Sequence, residues 1–77
     1  MPSACLLYGA NGFVGEAAAR LAAASGLRPI LAGRHAAPIE RLAAELGLEC
    51  RVFSLDEPGA IDRGLQGVAA VLHCAGP

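Results

Sequence analysis

The sequence predicts an α/β fold: a parallel sheet of four strands in the order 3-2-1-4, with helices on both faces. Three observations predict it. Short apolar runs without polar alternation recur along the chain, as in strands covered on both sides. Stretches of helical period separate them, and such alternation implies a parallel sheet with right-handed crossovers. The first run turns into a helix through Gly9, Gly12 and Gly15, a G-x-x-G-x-x-G spacing.

The elements follow in order. Ala4-Cys5-Leu6-Leu7-Tyr8 is the first strand. Residues 13–25 form a helix whose face carries Val14, Ala18, Leu21 and Ser25 or Ala22, and Gly26 stops it. Pro29-Ile30-Leu31-Ala32 is the second strand, with proline tolerated at its start. Pro38 suits the first turn of a second helix. Ile39, Leu42, Ala43 and Leu46 give its i, i+3, i+4, i+7 stripe, and Gly47 ends it.

Cys50-Arg51-Val52-Phe53-Ser54-Leu55 is a third strand, partly alternating as expected near a sheet edge. Asp56 is placed as the N-cap of a short helix with Pro58 in its first turn, running to about Leu65. Gly64 and Gly67 bracket its exit, and Ala69-Ala70-Val71-Leu72-His73-Cys74 is a fourth strand, buried in pattern. This β-α-β-α-β-α-β order corresponds to one mononucleotide-binding half of a Rossmann fold plus the first strand of the other half. The chain therefore reads as a truncated portion of a larger enzyme, residues 1–77 being part of an NAD(P)-binding domain without its substrate domain.

Composition bounds the function. The chain has 77 residues, 55% hydrophobic and 17% charged, which suits one small globular domain. Net charge is −1, and the six basic residues, all arginine, are scattered, which argues against a nucleic-acid or membrane patch. The three cysteines show no C-x-x-C pair and read as buried small hydrophobes in a reducing compartment. The N-terminus has no signal-peptide pattern, and no apolar run approaches the ~18 residues of a membrane helix. A cytoplasmic protein is expected.

The glycine turn is the candidate cofactor grip, comprising Gly9, Ala10, Asn11, Gly12, Phe13, Val14 and Gly15. Backbone N–H groups at a helix N-terminus attract a pyrophosphate. Gly9 makes the tight turn, Gly12 lets phosphate approach the backbone, and Gly15 lets the helix pack closely on the sheet. Asn11 either contacts phosphate or stabilises the turn through its own side chain.

At the end of the second strand, NAD binders usually carry an acid for the ribose 2′-hydroxyl. Gly33-Arg34-His35 stands there instead, and a guanidinium suits a 2′-phosphate. The expected cofactor is NADP rather than NAD, with Arg34 as the clamp and His35 as an exposed loop histidine. Leu55 either packs on the adenine ring or belongs to the core. Cys74-Ala75-Gly76 would border the pyrophosphate and nicotinamide ribose, so Ala75 and Gly76 join the cofactor set. His73 reads as a core histidine. The sequence presents no Ser/His/Asp set, paired carboxylates or metal cluster, and no catalytic residue is assigned.

Four elements together resemble the N-terminal domain of saccharopine dehydrogenase-like oxidoreductases, a group including trans-acting enoyl reductases. They are Tyr8-Gly9-Ala10-Asn11-Gly12-Phe13-Val14-Gly15, Leu31-Ala32-Gly33-Arg34, Leu42-Ala43-Ala44-Glu45-Leu46-Gly47, and Val71-Leu72-His73-Cys74-Ala75-Gly76-Pro77. The resemblance implies an NADP-type Rossmann domain serving hydride transfer, followed by a substrate and dimerisation domain. Asn11 departs from the usual Thr or Ser of that family. Ser54 departs from its frequent Asp, which weakens the expected adenine contact. The alternatives are a fragment of an extended or atypical short-chain dehydrogenase/reductase, and a non-catalytic nucleotide-binding module. An unpaired fourth-strand edge bearing Val71 and Leu72 would favour a homodimer.

Overall fold

A computed structural model describes residues 4–10 and 12–74. The elements are β1 (Ala4–Tyr8), α1 (Phe13–Ala24), β2 (Ile30–Gly33), α2 (Ala36–Leu46), β3 (Cys50–Val52), α3 (Pro58–Gly64) and β4 (Val68–His73). The four strands are parallel and ordered β3-β2-β1-β4, as expected. In register, Leu7 stands between Leu31 of β2 and Leu72 of β4.

Alternation along β1 divides the core into two layers. Leu7 and Leu31 pack with Ala19 of α1 and Ile39, Leu42 and Ala43 of α2. Leu6, Tyr8, Ile30 and Ala32 face the opposite side, joined by Phe53, Leu65 and Val68. There α3 approaches so closely that a Cβ on Gly64 would lie 2.5 Å from the Phe53 ring. Helices thus cover both faces.

Polar contacts tie the outer elements. Arg20 of α1 binds Glu16 one turn earlier and makes a two-pronged contact to Glu45 of α2. Hydrogen bonding from Arg20 holds the Glu45 carboxyl below its ordinary pKa, but solvent screens this exposed pair. Arg51 of β3 donates to the carbonyls of Gly64 and Gln66, clamping the exit of α3. Gly47 adopts the left-handed conformation (φ +69°) that closes α2, and Gly26 (φ +85°) follows α1.

Several expectations are corrected. The buried face of α1 is Gly15 and Ala19, whereas Val14 and Leu21 are exposed. The helix lies too close to the sheet for larger residues on its inner side. Regular β3 pairing ends at Val52 rather than Leu55, although the Phe53 N–H still donates to the Gly33 carbonyl. β4 is mostly exposed because it is an edge strand and α1 and α2 lie over β1, β2 and β3. Cys5 is exposed because it borders an open groove shared with Ala18 and Ala22 of α1 and Leu72 of β4, while Cys50 and Cys74 are half-buried; all three are free thiols. His73 is exposed instead of buried in the core. No helix among the described residues is long and apolar enough to cross a membrane.

Candidate functional site

The carboxyl ends of β1, β2 and β3 open into one cavity of about 390 Å³. Parallel strands bring these ends together, and each then leaves the sheet into a loop, so the opening is a consequence of topology. Its walls come from Tyr8, Gly9, Gly12, Gly33, Arg34, His35, Ser54, Leu55, Asp56 and Cys74.

Gly9 turns the chain with φ +85°, a conformation that L side chains rarely adopt. The N–H groups of Gly9 and Ala10 both donate to the Ala32 carbonyl, at 2.8 and 3.3 Å, which anchors the turn on β2. Gly12 donates to the Gly9 carbonyl at 3.0 Å and stands at the N-cap of α1. Helix geometry leaves the N–H groups of Phe13, Val14 and Gly15 without intrahelical acceptors, and Gly12 has no side chain to supply one. These donors and the positive end of the helix dipole suit an anion.

The glycines differ in what the protein demands of them. A Cβ on Gly15 would meet the Gly9 carbonyl oxygen at 2.1 Å and two further backbone atoms at 2.8 Å, so close packing requires this glycine. Gly12 has φ −78°, and a Cβ there would touch only the Gly9 carbonyl oxygen, at 3.4 Å. Neither backbone conformation nor gross packing dictates glycine at this exposed position, and a side chain there would point at the open cavity.

Of the expected cofactor residues, Gly9, Gly12, Gly33, Arg34 and Leu55 share this cavity. Ala10 is fully buried in the core, and Gly15 is buried under the turn. Phe13 (93% exposed) and Val14 project from the first turn of α1 without lining the cavity. Asn11, Ala75 and Gly76 lie outside the described residues. Arg34 is exposed, and the described residues provide it no ion-pair partner. His35 is also exposed and stands at the N-cap of α2.

The cavity also takes in Tyr8, which the glycine spacing does not mark. It is the last residue of β1, and alternation with the core residue Leu7 could have placed it at the strand mouth on the opposite face. Its hydroxyl donates to the Phe53 carbonyl at 2.8 Å, which draws the β3 exit toward β1. Its ring packs against Phe53 at 5.2 Å and stacks on His73 at 5.8 Å. Burial raises the Tyr8 pKa above its ordinary value, offset in part by the Arg34 charge and reinforced by that of Asp56.

A raised folded-state pKa means that the neutral phenol is preferred. This contribution is complete below the unfolded tyrosine pKa of about 10 and is lost as pH rises through the folded value. Tyr8→Phe is therefore expected to cost about 1 kcal/mol at neutral pH by removing the bond to Phe53. It should also flatten the alkaline loss of stability. Urea unfolding of both chains across pH 7–11 checks this, and an unchanged alkaline slope in the variant would refute the role of Tyr8.

Asp56 is also corrected. The N-cap of α3 is Glu57, with no side-chain cap bond. The Asp56 main-chain N–H instead donates to Ser54 Oγ at 3.1 Å, forming a tight turn at the cavity wall. A turn at Leu55 and Asp56 precedes the helix, so the cap lies one residue later than expected and α3 starts at Pro58. Among the described residues no group of three or more His, Cys, Asp or Glu side chains could hold a metal ion.

Neither a protein-family model nor a curated protein matches the chain. Solved structures do. A nucleoside-diphosphate-sugar epimerase from Pseudomonas aeruginosa shares 33% identity over 95% of this chain and 24% of its own, with a TM-score of 0.79. A ribose-5-phosphate isomerase from Brucella melitensis shares 25% identity over 96% of this chain and 31% of its own, with a TM-score of 0.85. A protein from Thermus thermophilus shares 26% identity over 99% of this chain and 35% of its own, with a TM-score of 0.73. The chain thus spans roughly a quarter to a third of each of these proteins. A Rossmann-like α/β fold is what it has in common with them.

Proposed function

We propose that residues 1–77 are the dinucleotide-holding portion of an NADP-dependent oxidoreductase, and that they orient the cofactor for hydride transfer. The cofactor supplies the hydride chemistry, while this chain binds and positions it. The observation that carries the reading is Arg34, an exposed cation without an ion-pair partner among the described residues. It shares a cavity with the glycine turn, at the fold position that governs the ribose 2′ group.

In this reading, the turn formed by Gly9, Ala10, Asn11 and Gly12 presents the N–H groups of Phe13, Val14 and Gly15 at the start of α1, and these hold the pyrophosphate. Gly33 lets the ribose approach, Arg34 pairs with the 2′-phosphate, Leu55 packs on the adenine ring, and Ala75 and Gly76 border the nicotinamide side. The wider resemblance to saccharopine dehydrogenase-like enzymes supplies the oxidoreductase assignment and a separate substrate domain. Calorimetric titration of the chain with NADPH and NADH tests the reading. Clear preference for NADPH is expected, and equal affinities would overturn it.

The 33% identity to a nucleoside-diphosphate-sugar epimerase favours a second reading, the nucleotide-holding segment of a sugar-nucleotide epimerase. The same turn would then serve a similar pyrophosphate.

We also propose self-association through the β4 edge. Val71 (48% exposed) and Leu72 (52% exposed) lie on a strand that carries no charged Asp, Glu, Lys or Arg to discourage pairing. Light scattering at increasing concentration should show a dimer, and a monomeric mass at millimolar concentration would refute it.

A further inference from the structure

We propose that the outer edge of β3 takes up an extended peptide segment of a partner protein, one with side chains of opposite charge at alternate positions. β3 is the edge strand at the far side of the sheet from β4. The Glu49 carbonyl accepts from Leu31 and the Phe53 N–H donates to Gly33, so these residues turn their main-chain groups toward β2. Such groups alternate from side to side along a strand, and those of Cys50 and Val52 therefore face outward. A row of free N–H and C=O groups is what strand addition uses. Many edges are guarded by a charged side chain. Here Arg51, the charged residue of β3, is committed to the fold: its Nε donates to Glu49 and its Nη1 to the Gly64 and Gln66 carbonyls.

Beside this edge a second cavity, of about 380 Å³, opens between β3 and α3, and it shares only Ser54 with the cofactor cavity. Glu57 and Arg63 of the α3 segment stand in its wall. Both are exposed, and their side chains make no hydrogen bond or ion pair with the described residues. Six residues of helix separate them by about 9 Å along the axis. Arg63 leans back along the helix, its Nη1 standing 3.4 Å from where a Cβ on Gly59 would lie, which shortens that separation. Alternate side chains on one face of a strand are about 7 Å apart. An added strand can thus set an acid against Arg63 and a base against Glu57 from the same face. The side chain between them turns to the other face, where Val52 (41% exposed) offers an apolar cross-strand neighbour. A free ion or small molecule would meet the charges and leave the edge groups of Cys50 and Val52 unpaired, whereas a peptide satisfies both.

The test is titration of the full chain with three end-blocked pentapeptides, followed through its backbone amide resonances. Two carry opposite charges in either order, Val-Glu-Val-Lys-Val and Val-Lys-Val-Glu-Val, and the third is the neutral Val-Gln-Val-Gln-Val. The amides of Cys50 and Val52 are expected to shift. The tighter charged peptide should bind about 3- to 10-fold better than the neutral one, the scale of two exposed ion pairs. Arg63→Gln and Glu57→Gln should each remove part of that advantage and leave the neutral peptide unaffected. Val52→Pro should abolish binding of all three, since it removes an N–H that β2 does not use. If that variant fails to fold, the two glutamine variants, both at exposed positions, still decide. The NADPH affinity of Arg63→Gln should match that of the unaltered chain, and a loss would place Arg63 in the cofactor site instead. Absence of binding, equal binding of charged and neutral peptides, or shifts confined to β4 would overturn the proposal. So would a dimer that Val52→Pro converts to a monomer, because a second copy of the chain would then hold the edge.

Discussion

Replacing Arg34 with alanine is expected to lower NADPH affinity by about 10- to 100-fold while leaving NADH affinity nearly unchanged. The magnitude follows from losing hydrogen bonds to a doubly charged group, about 1.5–3 kcal/mol, with each 1.4 kcal/mol worth roughly tenfold. The selectivity follows from geometry: Arg34 is the cation that the end of β2 presents to the cavity, and NADH has only a hydroxyl where NADPH carries phosphate. Arg34 is exposed, so its loss should leave thermal stability without ligand within about 0.5 kcal/mol. Arg34→Lys should recover part of the affinity, since lysine keeps the charge and loses the two-pronged fit. Titration of the three chains with both cofactors decides the matter. A parallel drop for NADH would mean that Arg34 acts on the shared part of the ligand.

Gly15→Ala is expected to destabilise the fold by about 3 kcal/mol or more, the upper range for overpacking against atoms that cannot yield. The new methyl would lie 2.1 Å from the Gly9 carbonyl oxygen, and its other close neighbours are also backbone. Side-chain rearrangement cannot relieve the clash. Either α1 must move off the sheet or the turn after β1 must open. The first outcome loosens the packing of Ala19, and the second breaks the bonds from Gly9 and Ala10 to Ala32. For a domain of this size, each 1 kcal/mol moves the melting temperature by about 4–8 °C, so a fall on the order of 10 °C or more should appear in thermal unfolding. An unchanged melting temperature would show that the helix can shift freely. Gly12→Ala provides the contrast, because its methyl touches one atom at 3.4 Å. It should cost far less stability, and in the proposed site it should still obstruct the pyrophosphate.

Much of the fold was legible because the strongest cues are local. Unbroken apolar runs, helical spacing in Ile39–Leu42–Ala43–Leu46, and glycines at Gly26 and Gly47 are properties of short windows, and they set the number, type and order of elements. The strand order followed from matching this alternation and its glycine turn to the mononucleotide-binding half of a Rossmann fold. Reading failed where burial depends on what lies opposite. Val14 and Leu21 are apolar at helical spacing, yet α1 turns its alanines inward because a glycine contact sets its distance from the sheet. The apolar pattern of β4 predicted burial, but the described helices leave much of this edge strand exposed.

The candidate site divides in the same way. The glycine turn and Arg34 could be named from spacing, since each occupies a fixed step in a βαβ unit. The bond from Tyr8 to Phe53 and the place of Asp56 on the cavity wall could not. Tyr8 matters because its hydroxyl reaches a carbonyl 45 residues away, and Asp56 because α3 starts one residue later than its capping pattern suggests. Periodicity and turn chemistry act over a few residues and therefore settle the order of the elements and the place of the glycine grip. Which side chains line one cavity depends on contacts between the ends of strands far apart in sequence, and that belongs to the assembled sheet.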